Sequence, residues 1–282
     1  MTISGKAEFK WRNKNKESVK ASEIYLKNVV FIFGNQDADP IDIETGFHAY
    51  RFSTTLPFEI PSSFECEFGK ISYKAEAVFV LPWKMNYMKG KANFKVVSYV
   101  DLNIDPTLKI PFNTEISRKV RKLFFGYRTL FLKVYTPFTG IVPGHKIKLM
   151  FDINNSTKKN VRKMVIKLVQ IVKLNSGGST KNTRIIIAEK SAAGTPKKTV
   201  NQFESDITIP TNLVPVKHSN VICISYQIEV SAKLSSNVKK NPKFVIPIEL
   251  GTVAINCERI SRYSGILSLA PRNSFTSKIN KF

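Results

Sequence analysis

KIKLMFDI (Lys146–Ile153) alternates without a break: Ile147, Leu149, Phe151 and Ile153 point one way, Lys146, Lys148, Met150 and Asp152 the other. A period of two is the signature of a strand with one face in a core and one in water. Outward from this stretch the pattern repeats. ISYKAEAVF sets Ile71, Tyr73, Ala75, Ala77 and Phe79 against Ser72, Lys74 and Glu76. NVICISYQIEV sets Ile222, Ile224, Tyr226, Ile228 and Val230 against Cys223, Ser225, Gln227 and Glu229. Turn residues punctuate the runs, at Asp39-Pro40, Pro61-Ser62, Val142-Pro143-Gly144, Gly177-Gly178 and Asn241-Pro242. The chain therefore reads as all-β, and its 282 residues suit two consecutive immunoglobulin-like β-sandwich domains. The boundary is expected after IPFN (Ile110–Asn113), giving a first domain over 1–113 and a second over 124–255. Residues 114–123 read as a short helix or irregular linker, KSAAGTPKKTVNQ (Lys190–Gln202) as a mobile loop, and 256–282 as a poorly ordered basic tail.

Charge divides the chain. Residues 1–120 hold 17 Lys/Arg against 14 Asp/Glu, and residues 121–282 hold 27 against 7, so nearly all of the net +23 belongs to the second part. Such a field draws that part toward an acidic partner, although exposed lysines also serve solubility. The longest stretch without a charged residue, Val134 to His145, is twelve residues long. A membrane helix needs about 18. The opening MTISGKAEFK is not expected to act as a secretory signal, and Cys66, Cys223 and Cys257 lie far apart, which fits a reducing, cytosolic setting.

Catalytic signatures are missing. There is no GxSxG elbow, no GxxxxGK[ST] loop and no GxGxxG turn. His48, His145 and His218 stand in three separate contexts, so neither a metal site nor any cofactor is expected; His48 reads as a packed or turn histidine.

Several ordered motifs carry a resemblance. GFHAYRFSTTLPFEIPSSFECEFGKISYKAEAVF (Gly46–Phe79) resembles the centre of the arrestin amino-terminal domain, and LPWKMNYMKGKANFKVVSYVDLNIDPTLKIPFN (Leu81–Asn113) continues it. TGIVPGHKIKLMFDINNSTKKNV (Thr139–Val161), ITIPTNLVPV (Ile207–Val216), ISYQIEV (Ile224–Val230) and VIPIELGTV (Val245–Val253) resemble the carboxy-terminal domain in order. The likeness is strongest to the α-arrestins, the arrestin domain-containing proteins. The motif residues His48, Pro61, Ser62, Ser63, Trp83, Asp101, Asn103, Pro143 and Gly144 are expected to be scaffold rather than ligand contacts.

The resemblance implies a non-enzymatic cytoplasmic adaptor, peripheral at the plasma membrane or endosomes. It would bind the cytosolic tails of membrane receptors or transporters in endocytosis, protein transport and signal transduction. Three departures qualify it. The family's opening strands have no counterpart before GKAEFKWRN (Gly5–Asn13), so the first domain is expected to lack them. No Pro-Pro-x-Tyr occurs through which a ubiquitin ligase with WW domains could be recruited. His145 follows Pro-Gly where the family usually has Glu, and Phe124-Phe125 stand where it has cysteines. The residues themselves leave one alternative, a basic β-sandwich module that binds anionic lipid or nucleic acid; nucleic acid is the less expected partner, for want of an interleaved aromatic and basic strand motif. Two clusters are candidate contacts for anionic lipid, phosphoinositide or phosphorylated cargo: Lys158, Lys159, Arg162, Lys163, Lys167 and Lys173, and Lys239, Lys240 and Lys243. Alternation places Lys163, Lys167 and Lys173 on one face of their strand.

Overall fold

A computed structural model of the chain describes residues 1–34, 41–80, 87–121, 126–235 and 241–256. Trp83, Phe124-Phe125, Lys239, Lys240 and the chain beyond 256 lie outside the described residues.

The first region is built on one sheet. Strands β1 (Thr2–Arg12), β2 (Ser18–Val29), β3 (Phe64–Cys66), β4 (Gly69–Val80) and β5 (Tyr87–Phe94) assemble in the order β2-β1-β4, with β3 and β5 following one another along the far edge of β4. Its outer face is polar and laced by Lys6–Glu8 (2.6 Å) and Lys74–Glu76 (2.6 Å) pairs. Its inner face buries Ile3, Ala7, Phe9, Trp11, Ile71 and Tyr73. Tyr73 lies so closely over Gly5 that a Cβ there would stand 2.2 Å from its ring. Residues 41–63 form no strand, and Phe47 within them is 95 % exposed.

A single 3-10 turn (Pro106–Lys109), capped by the Asp105 carboxylate on the Thr107 N–H, leads to the second region. There β6 (Phe112–Arg121), β7 (Tyr127–Thr136), β9 (Lys146–Asn155) and β12 (Thr199–Thr208) make one antiparallel sheet, ordered β12-β9-β7-β6. The facing sheet runs β11-β10-β13-β14-β8, from β8 (Gly140–Ile141), β10 (Val161–Asn175), β11 (Thr180–Ala192), β13 (Ile222–Leu234) and β14 (Lys243–Leu250). Alternate residues of the two sheets interlock: Leu132, Ile147, Leu149 and Ile153 against Met164, Ile166, Ile228 and Ile246, all fully buried.

The all-β class and the two successive β-rich regions are as the sequence led one to expect. Two local expectations fail. The stretch expected as a helix or linker is β6, paired with β7 from Phe112↔Thr136 to Arg121↔Tyr127. As an edge strand it half-buries Phe112, Thr114, Ile116 and Arg118 on its inner side and buries none of them fully, so its alternation is faint in the sequence. The stretch expected as a mobile loop is the end of β11, a six-residue connection (193–198) and the start of β12. Hydrogen bonds between Val161 and Thr195 (2.9 Å each way) tie that connection down.

Candidate functional site

The two regions meet along a seam that the motif residues build. Ser62 is fully buried: its hydroxyl donates to the Pro215 carbonyl of the second region (2.5 Å) and accepts from the Ser98 N–H (2.8 Å). The Pro61 carbonyl accepts from the Tyr73 hydroxyl (2.6 Å), and the Ser63 hydroxyl accepts from the Val96 N–H (3.0 Å). Around them Val172, Leu174, Val216 and Ile222 of the second region complete the apolar cluster on the inner face of the first sheet. At the rim a bulge in β2, where the register against β1 slips between Gly5 and Lys6, re-aims the chain at Tyr25. Glu23 then reaches the turn before β13. Its carboxylate accepts from the Asn220 N–H (2.9 Å), the Asn220 side chain (2.8 Å), the Val221 N–H (3.3 Å) and the Tyr25 hydroxyl (2.7 Å). Burial would push this carboxyl up, but the four donors outweigh it and hold it below the ordinary range.

Asp101 and Asn103 clamp the exit of the second region. Asp101 accepts from the Asn103 N–H (2.8 Å), Asn103 donates to the Ala254 carbonyl (2.8 Å), and the Asn256 N–H donates back to Asn103 (3.0 Å). Leu102 between them is buried with Val142 and Ile255. Pro143 and Gly144 form the turn into β9, Gly144 in the left-handed region (φ 85°) with its N–H on the Ile209 carbonyl (2.9 Å). His48 is exposed, with one hydrogen bond to the Glu44 carbonyl (2.8 Å) and a stacked Tyr50, so it is a turn histidine and not a packed one.

The basic residues fall into two places. Lys163, Lys167 and Lys243 share the outer face of the β11-β10-β13-β14 sheet with Arg184 and Lys233, because Lys163 pairs with Lys233 and Ser231 with Lys243 across β13. This face carries its own counter-ions. Glu229 takes Arg184 (2.5 Å), Lys243 (2.9 Å) and the Gln227 amide (2.8 Å), and Lys167 takes Glu189 (2.8 Å). Burial raises the Glu229 carboxyl, yet these three partners together bring it down to about 2. Lys173 projects from the same strand ten positions from Lys163, about 33 Å away, and does not join the group. Lys158 and Lys159 sit instead on the β9–β10 turn, with Arg162 at the start of β10, near Lys197 and Lys198 of the β11–β12 connection. Sequence reasoning missed Arg184, Lys197, Lys198 and Lys233 because strand register, which spacing does not reveal, brings them in.

A shallow hollow of about 530 Å³ opens at mid-strand on the outer face of the four-stranded sheet, lined by Lys133, Tyr135, Met150, Asp152, Gln202 and Glu204 among others. Among the described residues no group of three or more His, Cys, Asp or Glu stands together, and no helix is long and apolar enough to cross a membrane. What the geometry offers chemically is cations held on a stiff frame.

Comparison with known proteins fits this architecture. The family model of the arrestin (or S-antigen) N-terminal domain matches residues 1–103, and that of the arrestin C-terminal domain matches residues 127–255. Arrestin domain-containing protein 17 of Caenorhabditis elegans is 28% identical over 218 residues, covering 75% of this chain and 49% of that protein. Arrestin domain-containing protein 1 of Homo sapiens is 26% identical over 232 residues, covering 81% and 52%. Arrestin domain-containing protein B of Dictyostelium discoideum is 23% identical over 198 residues, covering 69% and 31%. The chain thus spans about half the length, or less, of these curated relatives. With both domain models matched in order across most of its length, the chain belongs to the arrestin family.

Proposed function

We infer that the chain is the arrestin core of a non-catalytic adaptor that binds the cytosolic segments of membrane receptors or transporters in trafficking and signalling. The observation that carries this reading is the seam. Buried polar groups that could serve chemistry are committed to structure: Ser62 joins the two regions, Tyr73 braces the first and Asn155 ties turns within the second. That leaves sheet faces and edges as the working surface, the mode by which β-rich adaptors take extended peptides. The relatives' shared description as arrestin domain-containing proteins supports it. Its place would be the cytoplasmic side of the plasma membrane or endosomes. Nucleic acid stays outside the proposal: on the basic outer face Lys and Arg alternate with Val165, Val169, Ser231 and Val245, with no aromatic platform for base stacking.

The test is titration of the full chain onto immobilised cytosolic tails of receptors and transporters, each beside a scrambled peptide of the same composition. Saturable binding to some tails and not to their scrambled partners is expected. Equal binding to both across the whole set would overturn the reading.

A further inference from the structure

The carboxylates of the second region divide by whether they meet a cation. Seven are described between Phe112 and Asn256. Four are ion-paired: Glu189 with Lys167, Asp206 with Lys146 and Lys190, Glu229 with Arg184 and Lys243, and Glu249 with Lys217. The other three, Glu115, Asp152 and Glu204, close no ion pair among the described residues, and all three project from the outer face of the four-stranded sheet. Asp152 and Glu204 line its hollow. Lysine and arginine outnumber carboxylates 27 to 7 over residues 121–282, so carboxylates left without a cation in one place depart from the rest of that surface.

Register fixes what surrounds them. Asp152 stands opposite Gln202 and Met150 opposite Glu204, so the two carboxylates are diagonal neighbours across β9 and β12, about 7 Å apart at their β-carbons. One ammonium or guanidinium group fits between them. On the other side of β9, Tyr135 stands opposite Met150 and Lys133 opposite Asp152, with Glu115 of β6 opposite Lys133 in turn. Met150 is 41 % exposed and Tyr135 is half-buried. An apolar pair thus adjoins an acidic pair in one hollow.

This pairing selects a partner. Methionine adapts to apolar side chains of varied shape, and a tyrosine ring gives them a broad flat contact. A cation brought to the half-buried Asp152 supplies the counter-ion that the fold leaves out. The net charge of +23 repels a basic partner at a distance, but screening confines that repulsion to about 8 Å at physiological ionic strength, so the charges in contact decide. The cytosolic ends of membrane-spanning helices carry an excess of Lys and Arg next to aromatic and apolar residues. We propose that the hollow holds such a basic, membrane-proximal segment of the cargo, with one Lys or Arg between Asp152 and Glu204 and a neighbouring apolar side chain on Tyr135 and Met150. The proposal deepens the adaptor reading and rests on it for the source of the segment.

The experiment is fluorescence anisotropy of labelled peptides with the full chain at physiological salt. The probe is Ser-Arg-Leu-Arg-Phe-Arg-Ser; Ser-Gln-Leu-Gln-Phe-Gln-Ser removes its charge, and Ser-Arg-Ser-Arg-Ser-Arg-Ser removes its apolar side chains. Wild type is expected to bind the probe roughly tenfold more tightly than either partner. Asp152→Asn, Glu204→Gln is expected to weaken the probe roughly tenfold. Glu189→Gln, Glu249→Gln, with the same change in net charge, is expected to leave it unchanged. Met150→Ala is expected to lose roughly threefold and reads the same hollow should the first double variant fail to fold. No preference for the probe over its partners, or equal losses in hollow and control variants, would overturn the proposal. So would self-association of the chain, in light scattering, that Asp152→Asn, Glu204→Gln abolishes, since a second copy would then fill the hollow. The probe contains no cargo sequence, which separates the two readings. Cargo tails that bind the hollow variant as tightly as wild type leave the adaptor reading standing and overturn this one. A hollow-dependent probe beside tails that bind no better than their scrambled partners leaves the site standing and overturns the adaptor reading.

Discussion

The second region closes two sheets on each other, whereas the first places one sheet against its neighbour. Their exposed surfaces record the difference. Among the described residues, 18 exposed large apolar side chains fall before residue 111 and six after residue 126. Four of the thirteen buried residues in the first region's cluster, Val172, Leu174, Val216 and Ile222, come from the second region. The second region therefore owns its core, and the first borrows part of one. That dependence explains why buried hydroxyls and a carboxylate are spent on the seam: where apolar area is short, each well-placed hydrogen bond weighs more against the entropy of ordering the chain.

The largest test of this contrast is Phe151→Ala. Phe151 is 2 % exposed and stacks on Phe203 (5.0 Å), so the cavity left behind should cost about 3–5 kcal/mol, read as a loss of denaturant midpoint. A change well under 1 kcal/mol would mean that the second region does not own its core. Ser62→Ala comes next. It leaves the Ser98 N–H without its acceptor and the Pro215 carbonyl without its donor, for about 1–3 kcal/mol, and it should loosen the first region before the second in hydrogen exchange. Simultaneous loss of protection in both would show that the seam and the second core are one cooperative unit.

Glu229→Gln has a pH signature. The folded carboxyl lies at about 2, below the unfolded value of about 4.3, so its contribution is present in full above the unfolded value and fades as the pH falls toward the folded one. Wild type should melt higher than the variant at neutral pH, and the gap should narrow below about pH 5 and close near about 2. A gap that does not change with pH would mean that the carboxylate's ion pairs are not its contribution. Smallest of all, Phe47→Ala should shift stability by no more than about 0.5 kcal/mol, because that ring is almost wholly exposed. A larger loss would show that the residues around Phe47 are packed after all.

Much of the fold was legible because alternation survives wherever one face of a strand is wet. KIKLMFDI is buried at every second residue, as its pattern requires. NVICISYQIEV departs once: Glu229 lies on the outer face yet is only 5 % exposed, since Arg184 and Lys243 fold over it from neighbouring strands. Those partners are 45 and 14 positions away in sequence, a distance no local pattern spans. β6 was illegible for the opposite reason, an edge strand that has little to bury. The basic residues were found by composition, but their sorting into an ion-paired face, a tip and a lone Lys173 depends on register and on which ends of the strands coincide.

The joint at Glu23 has a consequence for how the molecule answers its surroundings. Three of its four donors are neutral amides and the fourth is a hydroxyl, so no pair of opposite charges spans it. Mobile ions weaken attraction between separated charges over about 8–10 Å at ordinary ionic strength, and have far less hold on a short contact between a carboxylate and N–H groups. Raising the salt concentration should therefore loosen the exposed ion pairs of the outer sheet face while the two regions stay joined at this point.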